Sequence, residues 1–286
     1  GVTGVQTCAL PILNIKSMGL ATGTFPNRIF LETAPETQRD PEATTYSYGA
    51  VWHVNAAKTA SVYLNSNSSF DAQTTLQPDG SYIPPQEGEQ KEVGLRFLVG
   101  SRLNLNFAWF DIVQTNVSRP DPNPGREGYY YQINGLRSQG LEFNFNGRIT
   151  DDWLVMGGYS NTDSKNDVTK VPRDGQPRDR FTVFTRYEFS RDALKGLGLS
   201  LGAVYTGTKV VEPFTRRNEP AWGPVPESWR LDAIADYRFK VKRYDCRIAF
   251  KVDNFLDNRE IFYQANYYRY SLDPGRVWRL EGRVSF

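Results

Sequence analysis

The sequence predicts an all-β fold, a transmembrane antiparallel β-barrel. The chain would supply the C-terminal half, about 11–12 strands of a larger, about 22-stranded barrel with a plugged lumen, and as a fragment would form an open curved sheet. Three observations point there. Apolar and polar residues alternate with period two through most of the 286 residues. Short and long connections alternate along the chain, and aromatic residues gather near both strand ends.

Taken in order, Val2 to Ile12 comes first. It has neither the basic start nor the long apolar centre of a signal peptide, and it resembles the translation of a sequencing-adapter oligonucleotide. Residues 1–12 are therefore expected to be foreign to the native protein, the alternative being an ordinary N-terminus, and 13–286 to be the barrel segment. Regular alternation begins at Tyr46, with Tyr48, Ala50, Trp52 and Val54 on the same face and Ser47, Gly49, Val51 and His53 opposite. The same phase runs through Val93–Val99, Leu103–Phe110 and Leu141–Arg148, then Phe181–Phe189 and Leu197–Tyr205. Trp229–Phe239 and Tyr244–Val252 follow, each with a polar face carrying charges of both signs. The last strand, Arg276 to Phe286, sets Trp278, Leu280, Gly282, Val284 and Phe286 against Arg279, Glu281, Arg283 and Ser285. A twelfth strand is expected from Leu13–Leu20 or Arg28–Thr33.

Short links fall near 55–58, 100–101, 150–151, 190–195 and 240–243, and long ones at 67–89, 114–137, 163–177, 209–227 and 256–275. With Phe286 at the periplasmic side, every long link emerges at the extracellular end, as barrels of the outer membrane require and a soluble carbohydrate-binding sandwich does not. Trp52, Trp153, Phe189, Phe239, Tyr244 and Phe286 sit beside short turns; Trp109, Tyr159, Tyr205, Trp229, Phe255 and Trp278 sit toward the long links. Two such girdles suit two membrane interfaces, because amphipathic rings prefer headgroup depth.

Composition removes several function classes. Thirty-four Lys and Arg against 32 Asp and Glu leave a net charge of +2 with no basic cluster, so nucleic-acid binding is not expected. One histidine, His53, and two distant cysteines, Cys8 and Cys246, offer no metal-type spacing, and no catalytic residues, resident metal or cofactor are expected. No apolar run approaches the length of a membrane helix, which says nothing against a barrel whose strands are half polar.

Several blocks are similar to the barrel of TonB-dependent outer-membrane receptors of the ferric-siderophore type, over about Tyr46 to Phe286. They are Pro85–Phe97, Phe107–Ile112 followed by Thr115-Asn116-Val117, Arg137–Glu142, Val171-Pro172-Arg173 with Phe184–Tyr187, Val252–Asp257 and the terminal strand. One block departs: the family's usual Asn-Leu-Phe-Asp stands as Asn254-Phe255-Leu256-Asp257. The resemblance implies energised uptake of a ferric siderophore, with iron only as part of that ligand. It also implies an outer-membrane lipid environment, an energy-coupling partner of the TonB type that engages an N-terminal part not in this chain, and a plug likewise missing. The runner-up readings are a passive porin-type channel and, behind it, a barrel enzyme, which would have to work with His53 far from the long links.

In the family the ligand is caught by extracellular loops. Aromatic and Arg side chains there supply stacking faces and positive charge. The candidates are Tyr129, Tyr130 and Tyr131 in one loop, Arg216, Arg217 and Trp222 in a second, and Tyr263, Tyr267, Tyr268, Arg269 and Tyr270 in the last. On the strands, Arg180, Arg186, Arg230, Asp232, Asp236 and Arg238 are expected to form lumen ion pairs or to face the plug. Trp278, Leu280 and Phe286 resemble the terminal signal read by the barrel-assembly machinery. Phe286→Ala in the intact protein should lower the amount assembled in the outer membrane, read by heat-modifiable gel mobility; undiminished assembly would remove the signal role.

Overall fold

The computed structural model describes residues 5–9, 15–17, 37–39, 44–73, 75–121, 123, 125–126, 128–133, 135–173, 175–210, 224–259, 261–264 and 269–285. β1 (Val5–Ala9) pairs with β4 (Thr44–His53), while among the described residues β2 (Ile15–Ser17) and β3 (Thr37–Arg39) pair only with each other. From β4 the main sheet is a meander through β5 (Ala60–Asp71), β6 (Gln86–Val99) and β7 (Leu103–Thr115). The hairpin of β8 (Val117–Pro120) and β9 (Tyr130–Ile133) stands apart from it. The sheet resumes with β10 (Leu136–Arg148), β11 (Trp153–Asn166), β12 (Asp179–Glu188) and β13 (Leu197–Thr206), with a 3-10 turn at Asp192–Leu194. It ends with β14 (Ser228–Val241), β15 (Tyr244–Asp253) and β18 (Val277–Ser285), after a second detached hairpin, β16 (Ile261–Gln264) with β17 (Arg269–Leu272). All twelve strands of the main sheet are antiparallel, and its outer strands, β1 and β18, do not meet among the described residues. The sheet is thus open.

Register explains the alternation. Trp52 faces Val62, Val62 faces Leu95, Leu95 faces Phe107 and Phe107 faces Phe143, so one apolar row crosses five strands. Leu64, Leu201, Leu280 and Trp52 are among the most exposed apolar side chains of the chain. They form an outer surface and no core, the reverse of a soluble sheet. On β14 the same face carries Trp229 and, roughly ten residues later, Phe239. That separation is about 34 Å along a strand at ~3.4 Å per residue, or about 25 Å across a layer at the tilt typical of barrels. Tyr205 and Trp229 pack 4.8 Å apart at the long-link end, with Phe250 and Trp278 5.5 Å apart, while Tyr187 and Phe189 meet at 4.9 Å at the short-turn end. Both girdles are present.

Two expectations need correction. The links at 114–137 and 256–275 are not plain loops, since each contains a hairpin, and β6 and β10 begin at Gln86 and Leu136, several residues before their alternation does. Beyond the apolar band both faces meet water, so period two fades while backbone pairing continues. Among the described residues the twelfth strand of the main sheet is Val5–Ala9; of Leu13–Leu20 only Ile15–Ser17 is described, and it pairs with β3 outside that sheet, while Arg28–Thr33 lies outside the described residues. An exposed strand edge pairs with any extended segment because the ladder is made of backbone alone, so this pairing carries no information on the origin of residues 1–12.

The short turns are built for tight reversal. Gly100 and Ser101 both have positive φ, 56° and 58°, and Arg102 N–H bonds to Val99 O at 3.1 Å, the two-residue turn whose twist matches a hairpin. Within the sheet, glycines make room for side chains that lie flat across the neighbouring strand. A Cβ on Gly94 would stand 2.4 Å from the Tyr63 ring, and one on Gly140 would stand 2.8 Å from Phe110. Tyr63 is thereby held over Gly94, its hydroxyl donating to Glu92 at 2.6 Å and Arg96 stacked on its ring at 4.3 Å. Gly94→Ala should destabilise the folded barrel by about 1–3 kcal/mol, measured by urea unfolding in lipid vesicles. In a Tyr63→Ala background the same change should cost far less, because the two residues are one contact.

Candidate functional site: the polar wall and the long-loop end

The polar face of the sheet is organised around Asp236, whose side chain is fully buried. Three strands supply its cations: Arg186 of β12 at 2.6 Å, Arg247 of β15 at 2.9 Å and Arg238 of β14 itself at 3.8 Å. Gly198 and Ala249 flank Asp236 across the two ladders, and their small size leaves space for the guanidinium groups. Glu188 closes the cluster, 2.9 Å from Arg186 and 3.1 Å from Arg238. Nearer the long links, Arg230 bridges Asp232 at 3.1 Å and Asp273 at 3.2 Å, and Lys251 meets Glu281 at 2.7 Å. Of the strand residues expected to pair, only Arg180 stands exposed on this face without an ion pair among the described residues. His53 lies on the same face, its Nδ1 2.8 Å from Ser61 Oγ.

One stretch of this wall was not anticipated. Met156 and Phe184, directly paired across β11 and β12, put apolar surface on the polar face, beside Asn144, Asn146 and Val204. Both break the alternation of their strands, which was the available signal.

At the long-loop end, the β5–β6 connection and the β8–β9 hairpin are fastened together. Gln73 Nε2 donates to Pro84 O at 2.8 Å and to Asn116 O at 2.6 Å, and Asn116 Nδ2 donates to Pro85 O at 2.9 Å. Tyr130 N–H bonds to Leu76 O at 3.0 Å, with Ile83 completely buried. Asn116 takes positive φ, 56°, where the chain leaves β7 for β8. Asp121 ties off the hairpin. The Asn123 backbone N–H holds its carboxyl below the ordinary carboxylate range, opposed by burial and assisted by Arg126 at 3.3 Å.

Among the candidate ligand residues, Tyr129 and Tyr131 are presented to solvent on this fastened hairpin, while Tyr130 is half-buried. In the backbone register of β16–β17, Tyr263 pairs with Tyr270 and Gln264 with Arg269. Arg216, Arg217, Trp222, Tyr267, Tyr268 and the terminal Phe286 lie outside the described residues. Trp278 and Leu280 are both exposed on the apolar face of β18. Sequence reading missed Gln73, Ile83 and Asn116, although Asn116 stands in one of the resemblance blocks. Asn254 was likewise noted only as a motif letter. It is 2% exposed and at positive φ, 54°; its backbone N–H bonds to Asp232 at 2.8 Å and its side chain to Asn258 O at 2.6 Å, closing the last long link onto β14.

Among the described residues no three His, Cys, Asp or Glu side chains are grouped as metal ligands. What the arrangement offers is a wall of paired charges, with the β5–β6 connection and the β8–β9 hairpin fastened together at its long-loop end. Asp236→Ala would leave Arg186, Arg238 and Arg247 crowded with Glu188 as the cluster's remaining carboxylate, out of reach of Arg247. The expected loss is about 3 kcal/mol in unfolding free energy, the low end for a broken buried pair because Arg238 keeps access to water. Arg238→Ala should cost clearly less, and equal losses would contradict the cluster's assignment to Asp236.

Comparison with known proteins agrees with this geometry. Residues 19–255 match the family model described as TonB dependent receptor-like, beta-barrel. The chain is 26% identical over 259 residues to the metal-pseudopaline receptor CntO of Pseudomonas aeruginosa, covering 87% of this chain and 34% of that protein. It is 24% identical to the ferrichrome outer membrane transporter/phage receptor of Escherichia coli, covering 78% and 29%. Among solved structures it superposes on the ferripyoverdine receptor of the P. aeruginosa outer membrane with a TM-score of 0.74 at 23% identity, covering 87% of this chain and 34% of that one. On the E. coli ferric-catecholate import receptor Fiu the TM-score is 0.70 at 22% identity, covering 94% and 40%. The chain thus spans about a third of the length of the curated relatives it matches. With the family model covering most of its length and an antiparallel sheet of the matching kind, this chain belongs to the TonB-dependent receptor β-barrel family.

Proposed function

We propose that the intact protein is an outer-membrane receptor for the energised uptake of ferric siderophores, to which this chain contributes the C-terminal part of the barrel. The observation that carries the reading is the ordered rim: Tyr129 and Tyr131 are exposed on a hairpin that Gln73, Asn116 and Ile83 fix to the neighbouring loop. Exposed tyrosines on a fastened hairpin stack on the flat aromatic arms of a chelate with little ordering cost. The names of the relatives support the same class, since they include receptors for metal-pseudopaline and catecholate siderophores. In this reading iron enters as cargo on its chelator, the short turns and the C-terminus face the periplasm, and the apolar face meets outer-membrane lipid. The missing N-terminal part engages the TonB-type coupling complex, and the barrel-assembly machinery inserts the protein.

In a host lacking its own siderophore receptors, the intact protein should restore uptake of radiolabelled iron offered as ferric siderophore, and a proton uncoupler should abolish uptake while leaving surface binding in place. Tyr129→Ala with Tyr131→Ala should weaken binding of the chelate about tenfold with barrel assembly unchanged. Uptake indifferent to the uncoupler, with steady conductance in planar bilayers, would favour the porin reading instead.

A further inference from the structure

The polar face of β11–β14 carries a hollow of about 670 Å³ with an apolar floor. Strand register puts its parts on one side of the sheet. Met156, Phe184 and Gly202 share one rung of the ladder, Gly158, Thr182 and Val204 the next, and Ser160 and Arg180 the one after. Period two keeps Arg180, Thr182, Phe184 and Arg186 on the same side of β12, and Arg186 meets Asp236 there, so this is the polar face. The hollow exists because Gly202 is left uncovered: a Cβ there would meet nothing nearer than 3.8 Å, whereas the space over Gly94 and Gly140 is filled by aromatic rings. Arg180 is exposed and unpaired among the described residues. The nearby carboxylates are committed or distant. Asp232 meets Arg230 at 3.1 Å and accepts the Asn254 backbone N–H at 2.8 Å, and Asp179, on the opposite face, accepts from Tyr159 and Asn161, both at 2.6 Å. Glu142 shares the rung of Arg180 but stands two strands away with Ser160 between them, roughly 10 Å from backbone to backbone.

We propose that this hollow is a subsite for a flat aromatic group bearing negative charge, an arm of an anionic ferric chelate on its way inward from the rim. Phe184 and Met156 give a ring and a thioether to stack against, and the open space over Gly202 admits the edge of the ligand ring. The amides of Asn144 and Asn146, which border the hollow, donate to its oxygens. Arg180 supplies the opposite charge. Arg180 stands at the long-link end of β12 and Phe184 midway along it, so the subsite lies inward of the tyrosine hairpin. The proposal rests on the receptor reading above and narrows it from ferric siderophores in general to anionic, aryl-bearing ones.

The test is uptake of radiolabelled iron by cells carrying the intact receptor, offered as a trianionic ferric tricatecholate or as a neutral ferric trihydroxamate of similar size, with surface binding measured under an uncoupler. R180Q should lower tricatecholate uptake about tenfold, the worth of one hydrogen bond to a charged group, and leave trihydroxamate uptake and the surface binding of both chelates unchanged. R180K should keep most of the tricatecholate uptake. Gly202→Val fills the hollow with a side chain suited to a strand, and should lower tricatecholate uptake with assembly unchanged by heat-modifiable mobility. A wild-type receptor that takes only the trihydroxamate, equal losses for the two chelates in R180Q, or tricatecholate uptake indifferent to R180Q or to Gly202→Val would each overturn the subsite, while uncoupler-sensitive uptake would keep the receptor reading. Uptake of neither chelate would remove both.

Discussion

A peptide N–H in hydrocarbon has no water to bond, and each one left without an acceptor costs several kcal/mol. The ladder from β4 to β18 answers that constraint strand by strand, and most other features follow from it. Because the backbone is consumed by pairing, the side chains are left to serve two different solvents, and period two divides them between the apolar face and the polar wall. The thinness of the apolar interior is a consequence: many of the sheet's apolar residues are among its most exposed, and the buried residues are polar ones such as Asp236 and Asn254, the loop residue Ile83, and scattered strand residues such as Tyr63, Phe110 and Ala249.

A one-layer wall needs stiffness from within its own thickness, and side chains lying flat over glycine supply some of it. Tyr63 over Gly94 and Phe110 over Gly140 fill a strand interval that would otherwise be held by backbone alone. The charged residues work in the same plane. Asp236 gathers cations from three strands, so the energy of the cluster belongs to the sheet and to no single hairpin. The rim is stiffened differently, by amide side chains bonding to backbone carbonyls, as Gln73 and Asn116 do.

The strands were legible in the sequence wherever the two faces meet different surroundings, as between Trp229 and Phe239. They were not legible above the band, where β6, β10 and the two detached hairpins continue in water on both sides. The ion pairs could be anticipated as a class from charges on one face, but their partners depend on register, which only the fold supplies. The resemblance blocks are informative in a way composition is not, because they touch one another. Arg137 of one block forks onto Asp111 of another at 2.9 and 2.6 Å, and Asn116 of a third bonds to Pro85 of a fourth. The tyrosines of the β8–β9 hairpin could be named, but the anchor that presents them could not, since Gln73 lies 43 residues from its partner and has no pattern to mark it.

The Asp236 cluster also bears on how such a wall is proofread while it is being made. If neighbouring strands slip by one residue, every side chain faces the wrong medium and the error announces itself. A slip of two residues is more insidious: both faces keep their character, the lipid notices nothing and all backbone bonds re-form about 7 Å out of place. Only an interaction localised to one rung of the ladder can tell the two arrangements apart. Asp236 opposite Gly198 and Ala249, with arginines arriving from both sides, is such a mark, and it makes a silent misalignment a costly one.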